Sequence, residues 1–305
     1  MTVIRRREFL KDLVIVGASG GADLLASRER ILQVFKPLLE DVSAERTFGE
    51  IALRIEHKYL AGTKSAFDLG AMLDFTSAFR EAFGKRYEPE KGSQNLKTAS
   101  KMYGEEPFRF TILQTVEEDV LFFSEAIGKR KLGCKTSCYP FLDIRDAFHL
   151  PFSMVRARSR VKNLYHSFLR WHNDDGTYVN FHPNWGADGR FTEDDIFDGH
   201  HTKGEISNGL YMKDLERNEE LSDIFCNLGY YFHCFEKRPE LAEKSYRKAL
   251  LLDKSNVLAL HNLSLVLFDA GRREEAMNYA SLATVGETEK AIENYNAMRR
   301  LVYGN

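Results

Sequence analysis

The chain has 305 residues, with 43 Lys and Arg against 45 Asp and Glu and a net charge of -2. Its 43% hydrophobic and 12% aromatic residues suffice for packed cores, which excludes a disordered chain, and its length suggests about two domains. The near-neutral charge argues against nucleic-acid binding, and no apolar run approaches the roughly 20 residues of a membrane span.

The first 26 residues carry a basic segment with two possible roles. Arg6 and Arg7, followed by Phe9-Leu-Lys, resemble the twin-arginine export signal. Acidic residues at both ends, Asp12 and Asp23, leave the next uncharged segment short. They favour the alternative, a basic N-terminal arm on a cytoplasmic protein, over export to the periplasm.

Apolar residues at helical spacing follow this segment. They predict helices over residues 22–42, 47–60, 65–83 and 111–127. Thr47 and Glu50 have the spacing of a capping box at the start of the second helix. The polar residues 86–107, which contain two glycines and two prolines, predict a surface loop.

The stretch from Gly133 to Asn184 combines one helix with three short strands. An apolar run after Cys134 predicts a helix that ends before Leu150-Pro151. The following segments predict strands at Phe152–Ala157, Tyr165–Trp171 and Tyr178–His182. Residues 183–209 contain Asp and His, but no metal-ligand spacing, and predict a solvated loop.

This stretch also supplies the residue types of a thiol active site. A thiol nucleophile needs a base beside it and a third group that orients the base. Cys134 is the candidate nucleophile and His166 the candidate base. Asn180 and His182 share a strand face because side chains alternate, so either could hold the His166 ring. A helix amino end, and Lys135 if it turns inward, would stabilise the thiolate.

Two cysteines compete for the nucleophile role. Spacing to Leu150-Pro151 favours Cys134. Pro140 would break a helix begun at Lys135 but fits the first turn of one begun near Ser137, which favours Cys138. With the pair Cys226 and Cys234, the four cysteines form neither a disulfide framework nor a four-ligand zinc pattern, so no metal or cofactor is expected.

Residues 216–305 contain an internal repeat. The segment from Asn227-Leu-Gly229 to Ala249 recurs from Asn262-Leu-Ser264 to Ala283, with a period of about 34 residues. That period is typical of tetratricopeptide helix hairpins, in which small residues stand where two helices approach closely. A final apolar pattern over 287–302 predicts a capping helix.

These motifs together resemble the transglutaminase-like (papain-like cysteine) superfamily, in the bacterial branch fused to tetratricopeptide repeats. Four segments carry the resemblance: Gly133-Cys134 with His149-Leu-Pro151, His166-Ser-Phe-Leu-Arg-Trp171, Gly176-Thr-Tyr-Val-Asn-Phe-His-Pro183, and Gly209-Leu-Tyr-Met-Lys-Asp-Leu215. The family usually has Asp or Glu where this chain has His182. The resemblance implies an α+β fold: an N-terminal helical layer, a core with a small antiparallel sheet over residues 27–215, and an all-α repeat module over 216–305.

The resemblance implies two possible functions. The first is a thiol-dependent acyl transferase or amide hydrolase, acting through Cys134 on a peptide or protein that the helical repeats recruit. The second is a catalytically silent core that serves as a scaffold for protein–protein interaction.

Overall fold

The computed structural model describes residues 46–113, 121–158, 165–185, 189–197, 200–201, 206–207, 209, 211–284 and 289–303. All of these except residue 46 belong to one compact unit, Thr47–Asn305, which combines helices with small sheets. An α+β fold is therefore confirmed. The predicted export signal and the predicted helix 22–42 lie outside the described residues.

Two predicted helices open the unit. Helix α1 spans Phe48–Leu60 and helix α2 spans Leu69–Gly84. Helix α2 begins later than predicted because the Asp68 carboxylate accepts a hydrogen bond from Ala71 N (3.2 Å) and caps it.

The capping box predicted for α1 is wrong. Thr47 makes no side-chain cap, and its hydroxyl donates to Asp143 instead. Asp143 also accepts from Gly49 N at 3.1 Å, and Asp146 accepts from Phe48 N at 2.7 Å. The N-terminus of α1 is thus satisfied by two carboxylates from a distant helix, which local spacing does not reveal.

The loop predicted for residues 86–107 is also wrong. A short 3-10 turn at Pro89–Lys91 leads into helix α3, Gln94–Met102. Leu96, Ala99 and Met102 are buried and stand three residues apart, so one face of α3 joins the core.

The helix predicted for residues 111–127 is right only in its second half. Helix α4 spans Phe123–Lys129, and residues 114–120 lie outside the described part of the chain. Thr111–Ile112 is strand β1, which pairs in parallel with strand β2, Lys131–Leu132.

Helix α5 spans Cys134–Phe148 and ends at His149, whose left-handed conformation (φ 53°) terminates it before Leu150. Pro140 lies inside this helix, although the sequence predicts that it would break a helix begun so early. Because proline has no N–H, the helix lacks the bond that residue 140 would donate to the Thr136 carbonyl.

The three predicted strands are confirmed and a fourth is added. Strands β3 (Phe152–Arg158), β4 (Tyr165–His172), β5 (Tyr178–His182) and β6 (Arg190–Thr192) pair in this order, each antiparallel to the next. Strand β6 and a 3-10 turn at Asp194–Phe197 lie within the predicted loop 183–209, which corrects that part of the prediction.

Alternation along these strands creates two differently covered faces. One face carries Leu169 and Phe181, which are paired neighbours, and Phe181 lies 5.8 Å from the Phe141 ring of α5. The other face carries Phe168, which stacks on Phe197 at 5.2 Å. Helix α5 therefore packs on the Phe181 face, and the 3-10 turn covers the Phe168 face.

The C-terminal part consists of two helix hairpins and a last helix. Helices α6 (Arg217–Cys234) and α7 (Pro239–Leu252) form the first hairpin, and α8 (Val257–Asp269) and α9 (Arg273–Thr284) form the second. Helix α10, Glu289–Tyr303, matches the predicted cap. No helix in the described ranges has the length and apolar character needed to cross a bilayer.

Buried ion pairs join the first hairpin to the rest of the unit. Arg145 of α5 donates to both oxygens of Glu220 (2.5 and 2.9 Å), which is fully buried. Arg156 of β3 contacts Asp223 and Asp253 at 3.0 and 3.1 Å. Helix α6 is therefore a core helix of the whole unit and has little surface of its own.

Candidate functional site

Cys134 is the first residue of α5, directly after the N-cap Gly133. It is half-buried, whereas Cys138 one turn later is fully buried and its thiol donates to the Cys134 carbonyl at 3.4 Å. Burial raises the pKa of Cys138 well above the usual value. The helix begins too early to favour Cys138, so Cys134 is the better placed of the two thiols.

Lys135 follows Cys134 but points to another group. Its Nζ lies 3.6 Å from the buried Asp223 carboxylate of α6. The lysine therefore serves the ionic contact between α5 and the first hairpin.

His166 and His182 form a hydrogen-bonded pair. His166 Nε2 lies 2.8 Å from His182 Nδ1, and the two rings are almost parallel, at 8°. His182 Nε2 lies 2.9 Å from the Thr192 hydroxyl of β6. Trp185 stacks on His182 with a centroid distance of 4.0 Å. The geometry thus brings together the two histidines that the sequence singles out.

Asn180 does not join this pair. Its Oδ1 accepts from Arg170 Nε at 3.0 Å, and its Nδ2 donates to Asp194 at 2.6 Å. Arg170 also donates to the Met212 carbonyl and to Asp194. Both ends of the Asn180 amide are therefore used in tying β5 to neighbouring segments, and the predicted role of orienting His166 is wrong.

The thiol and the imidazole belong to different sides of the sheet. His166 and Phe168 alternate with Leu169, so both rings lie on the face that Phe197 covers. Cys134 begins the helix that packs on the Phe181 face. The structure therefore does not bring His166 to the face that carries the Cys134 helix, and the predicted nucleophile–base pair is not assembled.

The pKa values of the two histidines also argue against a role as catalytic base. Burial lowers the pKa of His166 to about 4. Burial, then His166 and Arg190, lower the pKa of His182 to about 2. Both rings are neutral near pH 7, and such weak bases are poorly matched to general base catalysis at that pH.

Sequence reasoning missed three contributors to this cluster: Thr192, Trp185 and Phe197. Strand β6 is too short to show alternation, and Trp185 follows a Pro-Asn pair that is typical of a turn. The one sequence signal for these residues is the hydrophobic character of Trp185 and Phe197 in a polar segment.

In the described part of the acidic and histidine-rich connector, the Asp194 carboxylate has hydrogen-bond donors as its partners. Asp194 accepts from Arg170, Asn180 and the Tyr178 hydroxyl, so its carboxylate is committed to those donors. In the parts of the chain that the structure describes, no group of three or more His, Cys, Asp or Glu residues has metal-binding geometry.

Comparison with known proteins adds no family to this geometry. Neither the models of known protein families, nor curated proteins, nor solved structures provide a match to the chain. The transglutaminase-like and tetratricopeptide assignments therefore stay predictions from short motifs.

Proposed function

We propose that this chain is a protein–protein interaction scaffold, built on a transglutaminase-like core that is catalytically silent. The observation that carries the proposal is the placement of the His166 ring on the sheet face opposite the Cys134 helix. A free cysteine has a pKa of about 8.5, and thiol enzymes lower it with an adjacent imidazolium. A buried neutral imidazole on the other face does not perform this role.

Exposed apolar side chains support an interaction role for the helical module. Among the described residues, eight large apolar side chains are exposed, and all but Tyr178 and Ile206 lie in the C-terminal helices or, for Phe235, directly after one. The most exposed are Leu301 at 68%, Tyr303 at 63% and Phe235 at 62%. Contiguous exposed apolar side chains are typical of contact surfaces, and Tyr230 and Phe235 lie side by side with ring centroids 5.9 Å apart.

The second candidate function is thiol-dependent acyl transfer or amide hydrolysis. Cys134 at a helix start, and the hydrogen bond between His166 and His182, favour it. It requires that the His166 ring reach the opposite face of the sheet.

Thiol reactivity distinguishes the two functions. For a silent core, iodoacetamide at pH 6.5 labels Cys134 no faster than free cysteine, and His166→Ala leaves the rate unchanged. Mass spectrometry of the peptide that contains Cys134 measures the rate. The thiol enzyme would be established instead if Cys134 were labelled faster than free cysteine is. His166→Ala would then have to slow the labelling, and His57→Ala, on the exposed surface, would have to leave its rate unchanged.

The interaction role predicts site-specific crosslinking. A photoreactive residue in place of Phe235 is expected to give a discrete crosslinked product in cells, because this side chain is exposed at the end of α6. The same residue in place of the exposed Lys64 provides the control. Equal crosslinking from both positions would speak against a specific surface on the helical module.

A further inference from the structure

Helix α10 packs on the second hairpin through one of its faces. Met298 is buried in a cluster with Met277 of α9, and Tyr295 and Val302 pack against that cluster. The three residues of α10 are separated by three and four positions, so they share one side of the helix. This side is the inner face of α10.

A second stripe of α10 is exposed and has the spacing of a seam between two helices. Ile292, Asn296, Arg299 and Tyr303 are separated by four, three and four residues. All four are exposed, Ile292 at 39% and Tyr303 at 63%. With 3.6 residues per turn, the stripe lies roughly a quarter-turn away from the inner face. The contact with α9 therefore does not cover it.

The charges beside this stripe are complementary to one another in reverse order. Glu293 and Arg300 are exposed on the same side of the stripe, and neither forms an ion pair with a described residue. At 1.5 Å per residue they lie about 10 Å apart along the axis, too far to pair within one helix. Two antiparallel α10 helices would bring each Glu293 beside the Arg300 of the other. A parallel pair would instead place Arg299 against its own copy.

We propose that this stripe is a homodimer contact, on which a second copy of this chain docks antiparallel about a two-fold axis. With the axis at the level of residues 297–298, Ile292 packs on the partner's Tyr303, and Asn296 lies opposite the partner's Arg299. Such a contact uses one patch twice and closes at two copies. This inference rests on the proposed interaction role of the helical module and names a partner for it.

Sedimentation equilibrium of the full chain tests the contact. Over about a hundredfold range of concentration, the wild type is expected to show monomers and dimers in exchange. Glu293→Arg places like charges together across the dimer and is expected to raise the dissociation constant at least about tenfold. Adding Arg300→Glu to the same chain restores opposite charges and is expected to return the constant to within about threefold of the wild type. Because the two positions do not meet within one helix, this rescue reports a contact between copies.

Two exposed apolar residues of α10 provide a matched comparison. Ile292→Gln, in the stripe, is expected to weaken the dimer. Leu301→Gln, on the opposite side of the helix and 68% exposed, is expected to leave the dissociation constant unchanged. Circular dichroism and thermal melting check that each variant is folded.

Three results would overturn the contact: a chain that stays monomeric, a dimer that Glu293→Arg does not weaken, or a double variant that does not recover. Each would leave a different protein as the partner of the helical module. Crosslinking from Phe235 tests that interaction function separately, so a failed dimer is distinguishable from a failed scaffold.

Discussion

The pair formed by His166 and His182 shows how a buried polar group is satisfied in this sheet. Each neutral ring has one donor and one acceptor nitrogen, so one ring can donate to the other. The remaining His182 nitrogen meets the Thr192 hydroxyl. The pair links β4 to β5 and β5 to β6 at the level of the side chains. A second proton on the ring that accepts in this pair would replace its acceptor nitrogen by a donor and break the bond between the rings.

Acid is therefore expected to destabilise the fold through these rings. The ordinary histidine pKa of 6.5 falls to about 4 for His166 and about 2 for His182. Below pH 6.5 the unfolded chain binds more protons, so the free energy of unfolding falls as the pH decreases towards 4, by about 1.4 kcal/mol per pH unit for each histidine. Urea unfolding between pH 7.5 and 4.5 measures the net slope. Burial raises the pKa of Glu56 to about 7 and that of Asp143 to about 6, and these two groups act in the opposite sense, so the histidine contribution is obtained by comparing variants.

Two variants isolate the contribution of the pair. His166→Gln is expected to flatten the pH dependence of stability, because it removes one of the two shifted groups. His172→Gln, on the same strand but half-exposed, is the comparison variant for the loss of one histidine. Parallel slopes for the wild type and His166→Gln would contradict a role for the pair.

At the scale of elements, one glycine decides how closely the first hairpin packs. A Cβ at Gly229 would lie 2.5 Å from the Tyr246 ring, a distance that real contacts do not reach. Ala242 on the facing helix is fully buried, and Ser264 and Ala276 are fully buried in the second hairpin. Gly229 thus stands where the two helices of the first hairpin meet, as predicted.

Gly229→Ala is therefore expected to destabilise the protein by about 1–3 kcal/mol, the typical cost of overpacking a core. Gly128→Ala in helix α4 is the matched control, since a Cβ there meets no atom within 4 Å. The control is expected to stabilise by up to about 1 kcal/mol, because alanine favours helix. Thermal and urea unfolding of both variants give the comparison, and similar effects would disprove the close contact.

The elements also show where sequence reasoning succeeded. Strands β3, β4 and β5 and the helices of the C-terminal module follow local periodicity and were predicted. Helix α3 and strand β6 were missed because their segments are short, polar and rich in turn residues. Helix α3 is stabilised because its apolar face packs in the core, and strand β6 because it pairs with β5.

For the whole molecule, the decisive contact is the buried ion cluster between the sheet and the first hairpin. Arg156 lies between Asp223 and Asp253, and both carboxylates are nearly inaccessible. Removing one partner of a buried pair leaves an uncompensated charge and typically costs about 3–5 kcal/mol. The cluster therefore makes the stability of the helical module depend on the sheet.

Arg156→Met is expected to separate the unfolding of the two parts. The chain's two tryptophans, Trp171 and Trp185, report on the sheet region, whereas circular dichroism reports mainly on helices. The wild type should show coincident transitions, and the variant an earlier loss of helix. Arg86→Met breaks an exposed pair with Glu105 and should change stability by at most about 1 kcal/mol. Coincident transitions in Arg156→Met would refute the coupling.

The sequence by itself determined the three strands, the paired hairpins, the thiol at a helix start and the two histidines that meet. Only the tertiary structure decided that the two histidines and the helix that begins with Cys134 lie on opposite faces of the sheet, and that Asn180 accepts a hydrogen bond from Arg170. The reason is that alternation specifies which residues share a face but not which face a helix will cover. That choice depends on packing between segments far apart in the chain, such as Phe141 on Phe181 and Phe168 on Phe197.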